Sequence, residues 1–300
     1  MPISMLAVPL SGKWFDEVWE GMLEKLRVMV QGWIIDLMDD VFESMNDVII
    51  STSEIAANTP GSFNSTAMGV VENICKNVIF PVAVIFLTYF FCLELIGFIT
   101  EKNNMQDVEI QSIGVSLFKT AFAVIFLSKT WEITMAFFDL AGELTRKAAQ
   151  YGTVSSNLGS DFANAVQSET DLGKLVIAAV CAFVAWILRW VIKIFLLILM
   201  YGRFIEIYLY CSQAPIPFST FLNKEWSQMG NNYLRGLLAY AMQGLLMFTC
   251  IVIYSALVGS ITTGGSDITW SLFENICYGI LLCLALKNTK ELTKSIYNAH

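Results

Sequence analysis

The sequence predicts an all-α, polytopic helical membrane protein with about five transmembrane helices, one of them unusually long, plus an N-terminal amphipathic helix. Composition is the first ground: 56 % of the 300 residues are hydrophobic and 15 % are charged, where a soluble domain carries roughly 25 % charged residues. The second is the recurrence of apolar runs of about 20 residues, the length that matches a bilayer's hydrocarbon core. Inside lipid such runs must satisfy their backbone groups internally, which favours helices. The third is the stretch 172–211, apolar and free of proline, with glycine only at Gly173 and Gly202.

The chain opens on MPISMLAVPL, too short and without the basic residues of a cleavable signal peptide, so the first spanning helix is expected to act as its own insertion signal. Residues 12–50 then alternate Trp14, Trp19, Leu23, Leu26, Val30, Trp33, Leu37, Val41, Met45 and Val48 with nine acids at helical spacing. Such a helix suits a membrane surface or a protein partner equally, its acidic polar face being unusual for an interfacial helix. Residues 51–68 hold Ser, Thr, Asn, Pro60 and Gly61 and read as a loop. The triplet Asn64-Ser65-Thr66 within it is of the kind that occurs by chance.

A first span is expected over 70–100, with Pro81 near its start and Glu94 towards its end, and a second over 113–140 after a polar connection at 101–111. A polar segment, 141–171, follows. The 172–211 element contains no turn signal, so it reads as one helix of about 60 Å, twice the bilayer core of about 30 Å. It should tilt or project beyond the membrane. Ala214-Pro215-Ile216-Pro217 stops it, because Pro215 and Pro217 lack the N–H that continuation needs. A short amphipathic piece, 218–232, leads to a fourth span over 233–257, and the turn at 262–267 leads to a fifth over 268–286. The implied organisation is an extracytoplasmic region at 1–68, two spans within 69–140, an extracytoplasmic loop at 141–171, core helices at 172–288 and a tail at 289–300.

Five spans place the termini on opposite sides. Lys287, Lys290 and Lys294 at the tail, with Lys224 and Arg235 after the long helix, mark the cytoplasmic side of a cell membrane. The N-terminus then lies outside, against which Lys25, Arg27, Arg146 and Lys147 count.

Ionisable residues within membrane helices are costly and are functional candidates. On the long helix Lys174, Arg189, Lys193 and Arg203 share one face, about 100° wide, with Ala178, Ala182 and Ala185. That stripe fits close helix packing through the alanines or the wall of a polar conduit. Alternatively Arg189 and Lys193 pair with acids such as Glu94 or Glu206, or snorkel. Glu206 is spaced to pair with Arg203 on the helix itself, and Gln243 beside Gly244 suits an interhelical hydrogen bond.

Enzyme chemistry has little to build on. The one histidine is His300, which leaves no histidine-based triad or metal site, and no phosphate-binding or dinucleotide fingerprint is present. The seven cysteines have no zinc or redox spacing and most lie in apolar runs. No cofactor is expected. The net charge of −8 argues against a nucleic-acid-binding surface spread over the whole protein, leaving room for a local basic patch.

Residues 201–255 read YGRFIEIYLYCSQAPIPFSTFLNKEWSQMGNNYLRGLLAYAMQGLLMFTCIVIYS. The long helix ending in Ala214-Pro215-Ile216-Pro217, then Asn232-Tyr233-Leu234, then Gln243-Gly244, resembles the polytopic VirB/TrbL-type subunit of conjugative type IV secretion systems, especially the Gram-positive versions. The resemblance implies a non-catalytic channel or scaffold subunit that moves DNA–protein substrates between cells. It also implies self-association and contact with the system's ATPases and other subunits. On that view the basic stripe would face single-stranded DNA with its protein in transit, where cations aid passage electrostatically. A small secondary transporter, with Glu94, Arg189 and Glu206 near the midplane, and an assembly factor without a pore remain open alternatives.

Overall fold

The computed structural model describes residues 12–101, 110–151, 158–223, 225–259 and 268–299, and those residues are helical nearly throughout. The N-terminal decapeptide, most of the 101–111 connection, Lys224, the 262–267 turn and His300 lie outside them. The helices are α1 (Gly12–Ala57), α2 (Pro60–Phe63), α3 (Ser65–Ile74), α4 (Phe80–Glu101), α5 (Ile110–Ser128), α6 (Thr130–Ala149), α7 (Leu158–Ser168), α8 (Leu172–Ser212), α9 (Pro215–Ser219), α10 (Ser227–Gly259) and α11 (Ile268–Ile296).

Among the described residues, three helical stretches are long and apolar enough to cross a membrane: Ser65–Gly97, Leu172–Ser219 and Ser227–Val258. A fourth arises if Leu117–Ser128 and Thr130–Ala149, bent by 60° at Lys129, form one broken span. The chain is therefore an all-α, polytopic membrane protein with three or four such spans among its described residues. The expected fifth falls within α11, which is helical but not among them.

Several boundaries differ from the sequence reading, each for a local reason. Residues 51–57 continue α1 instead of opening a loop; Ser53 satisfies its hydroxyl on the Ile50 carbonyl and Thr52 is buried, so neither interrupts the helix. The polar residues that follow are helix caps. Thr59 and Ser62 form a reciprocal capping box on α2, with Pro60 in its first turn, and the Asn64 side chain accepts the Ala67 N–H at 2.9 Å to start α3. The first span is three segments: between α3 and α4 lies a π-helical turn, Cys75–Ile79, in which the Phe80 N–H reaches back to Cys75. The wider turn directly precedes Pro81, whose ring cannot fit a regular helical ladder.

The 141–171 segment is largely helical, through the end of α6 and through α7. The proline break is where the sequence places it: α8 ends at Ser212, and Pro215 begins the short α9 after a turn at Gln213 and Ala214. No single amphipathic piece follows; α9 passes into a 3-10 turn, Thr220–Leu222, and α10 already starts at Ser227.

The chain divides into two compact units. One comprises Met1–Val48, Ser155–Lys193 and Ser255–Ile280; the other comprises Ile49–Val154, Ile194–Tyr254 and Leu281–His300. In the first, α1 buries Ile34, Met38, Val41, Met45 and Val48, a three-and-four spacing that makes one apolar stripe. α8 contributes buried Leu175, Ala178, Ala182 and Ala185, and Phe42 meets Phe162 of α7 edge-on at 6.0 Å.

In the second unit the buried prolines of α9 sit among α4, α5 and α6. Phe218 stacks on Phe126 at 5.0 Å and meets Phe221 and Tyr233 edge-on. The sequence break of the long helix is thus the packing centre of this unit, where Phe204, Ile207, Cys211 and Leu237 are also fully buried.

Candidate functional site: the polar groups of the membrane helices

In the first unit the basic face of α8 meets acids of neighbouring segments. Arg189, 5 % exposed, forms an ion pair with Asp40 of α1 at 2.6 Å and donates to the Asp40 backbone carbonyl at 2.8 Å. The Trp186 indole N–H donates to the same carboxylate at 2.9 Å. The guanidinium also lies over the rings of Trp186 and Trp190, at 5.6 and 5.1 Å from their centroids. The Arg189 hydrogen bond, with lesser help from Trp186, holds the Asp40 carboxyl below its ordinary range although it is half exposed.

Lys193 sits over Trp190 at 5.7 Å. Lys174 stands 3.7 Å from Glu169, just before the helix, and the Asp171 side chain caps α8 by accepting the Gly173 N–H at 2.8 Å. Ala178, Ala182 and Ala185 are buried, consistent with close approach of a neighbour along that face. A cavity of about 20 Å³ beside Arg189, lined by Val41, Met45, Ala185 and Ile276 among others, is far too small to pass a polymer.

In the second unit Arg203 is also 5 % exposed, and it has no carboxylate partner among the described residues. Its guanidinium points at the Ala56 carbonyl, 3.5 Å away, and lies over the Phe204 ring at 5.2 Å; its Nε has no hydrogen-bond partner. Ala56 is the penultimate residue of α1, so its carbonyl is one of those a helix C-terminus leaves unsatisfied, and a cation there meets the negative end of the dipole. Gly244 of α10 leaves the space: a Cβ there would lie 2.6 Å from the Ala56 oxygen and 2.6 Å from an Arg203 guanidinium nitrogen. Three helices thus meet at one point, with Gln243 buried beside it.

The remaining charges find partners that differ from the sequence expectation. Glu206 pairs with Lys290 of α11 at 2.7 Å rather than with Arg203, because Arg203 turns inward while Glu206 remains partly exposed. Glu94 lies 3.7 Å from Lys119 of α5, so neither Glu94 nor Glu206 is the partner of Arg189. α8 and α10 are also joined by Tyr210 and Tyr233. Their rings stack at 4.5 Å with 3° between planes, and each hydroxyl donates to the other's backbone carbonyl, at 3.0 and 2.9 Å. Gly236 makes room for Tyr210.

Sequence reasoning missed Asp40, Lys119, Ala56 and the tyrosine pair. Asp40 was one acid among nine on an amphipathic stretch, and backbone carbonyls carry no sequence signal at all. Gly244 was visible only as the neighbour of Gln243.

These features define a class: a polytopic all-α membrane protein whose intramembrane polar groups tie its own helices together. Among the described residues no group of three or more His, Cys, Asp or Glu could hold a metal ion. Residues 45–215, more than half of the chain, match the family described as TrbL/VirB6 plasmid conjugal transfer like protein, and the chain belongs to that family. It is accordingly a non-catalytic membrane protein. No curated protein and no solved structure matches it.

Proposed function

We propose that this chain is a membrane-embedded scaffold and channel subunit of a type IV secretion machine of the conjugative, Gram-positive type, which transfers DNA–protein substrates between cells. The observation that carries the reading is the family match across 45–215, which takes in the end of α1, the first spans and all of α8. The chain crosses the membrane five times, with α4, α5, α8, α10 and α11 as the core of the spans, the N-terminus outside and the lysine-bearing tail in the cytoplasm. Self-association and contact with the machine's ATPases follow from this role.

The helix ties support the scaffold side of the reading. Arg189 is engaged by Asp40, and Arg203 by the α1 terminus and the Phe204 ring. A cation so engaged holds helices in register, which a subunit needs in order to transmit force or position from one side of a membrane to the other.

The test is isolation of the tagged chain, expressed at its natural level, from membranes of conjugation-competent cells. The reading expects a large complex that contains more than one copy of the chain and a nucleotide-hydrolysing subunit of the transfer apparatus. A lone monomer as the only species contradicts it.

A further inference from the structure

α5 and α6 are unlike one another. α5 carries one charge, Lys119, which pairs with Glu94, and leaves Leu117, Phe118, Phe122, Val124 and Ile125 exposed. Its 19 residues extend about 28 Å at 1.5 Å per residue, close to the bilayer core of about 30 Å. It is long enough to span alone. At Lys129 the chain bends by 60° and α6 begins, which carries α6 away from the axis of the span.

At 100° per residue α6 divides into three sectors without overlap. One holds Trp131, Phe138 and Ala141, which are buried in the core of the unit. The second holds Glu132, Asp139, Glu143, Arg146 and Lys147, all exposed. The third holds Ile133, Phe137, Leu140 and Leu144; Ile133 and Phe137 are half-buried against the same core, while Leu140 is 57 % and Leu144 36 % exposed. A helix crossing the hydrocarbon would have to take the five charges into lipid, at a cost that their exposed ion pairs do not offset. The i,i+3 pairs Lys129–Glu132 and Glu143–Arg146 leave both members of each pair more than half exposed. A helix wholly in water would leave the exposed Leu140 and Leu144, one turn apart, unexplained.

We infer that α6 is an interfacial helix, lying along the membrane surface where α5 ends, with Leu140 and Leu144 in the acyl–headgroup boundary of a phospholipid leaflet and the charged sector in water. The occupant of the apolar sector is lipid, because α6 continues directly from a span and its three sectors match the three environments met there: protein, lipid and water. The second crossing thus ends at Ser128, short of the 113–140 span read from sequence. This inference rests on the chain being membrane-embedded.

The experiment incorporates p-benzoylphenylalanine singly at Leu140, Leu144, Asp139, Glu143 and, as controls on α5, Phe118 and Phe122. The full chain is reconstituted in vesicles of phosphatidylethanolamine and phosphatidylglycerol and illuminated, and intact masses are measured. The result expected is addition of one phospholipid mass at Leu140, Leu144 and the α5 controls, and none at Asp139 and Glu143. Lipid adducts at Asp139 and Glu143 overturn the inference in favour of a broken span. Protein–protein adducts at Leu140 and Leu144, to a second copy or within the chain, overturn it in favour of a protein contact. No adduct at Leu140 and Leu144 while the α5 controls react overturns it alone. No adduct at the α5 controls overturns the embedded reading with it.

Discussion

Gly244→Ala is the sharpest probe of the point where α1, α8 and α10 meet. The new methyl carbon would sit 2.6 Å from the Ala56 carbonyl oxygen, 2.6 Å from a guanidinium nitrogen of Arg203 and 3.2 Å from its central carbon. The first contact is with backbone, so the end of α1 or the whole of α10 must move by somewhat under 1 Å to restore a normal separation. Overpacking of this kind costs about 1–3 kcal/mol. Replacing glycine by alanine inside a helix returns about 1 kcal/mol of propensity. Gly202→Ala supplies the control, since a Cβ at Gly202 meets nothing within 4 Å and the propensity gain is the same in kind. The difference between the two variants, about 1–3 kcal/mol, therefore isolates the contact. The assay is thermal unfolding of the detergent-purified chain, in which each kcal/mol shifts the midpoint by about 2–4 °C at this size. Gly244→Ala should melt several degrees below Gly202→Ala. Equal midpoints would refute the close approach of Arg203 and the α1 terminus to α10.

Other consequences follow from the same geometry. Arg203→Met keeps an unbranched apolar stem and removes a buried cation that has no carboxylate partner among the described residues; it should cost less than about 1 kcal/mol or stabilise, whereas a larger loss on melting would mean that an acid partners it. Asp40→Asn leaves Arg189 without its counter-charge; because Asp40 is half exposed, the cost should be about 1–2 kcal/mol, below that of a fully buried pair. Its folded-state pKa is lowered, so the contribution of the wild-type pair is full above about pH 4 and is lost as pH falls through the lowered value. A midpoint-against-pH curve should show wild type and Asp40→Asn converging in acid, and a constant gap would contradict the pair. Tyr210→Phe removes one of two reciprocal hydrogen bonds while the rings stay stacked, for about 0.5–1.5 kcal/mol; with Tyr233→Phe added, the sum should fall short of or exceed additivity, which a double-mutant cycle reads directly.

The class of fold and the long apolar helix α8 were legible because they depend on short-range facts: apolar length, the absence of proline from 172 to 211, and the Pro215–Pro217 break. The face of α8 was legible too, since periodicity alone puts Arg189 and Ala185 on one side. What the face meets was not legible. Asp40 lies 149 residues from Arg189, and nothing local separates it from Asp36 or Asp39. The bend at Lys129 carries no glycine or proline, so 113–140 read as one span. The stretch 51–68 misled for the opposite reason: its Ser, Thr, Asn and Pro are turn residues by composition and helix caps by position, and composition does not distinguish the two.

The most direct measurement is mating. A donor strain from which the coding sequence of this chain has been removed should transfer its conjugative element at background frequency, and supplying the wild-type chain in trans should restore transfer. Transfer at the wild-type frequency without the chain would contradict a role in the conjugation machine.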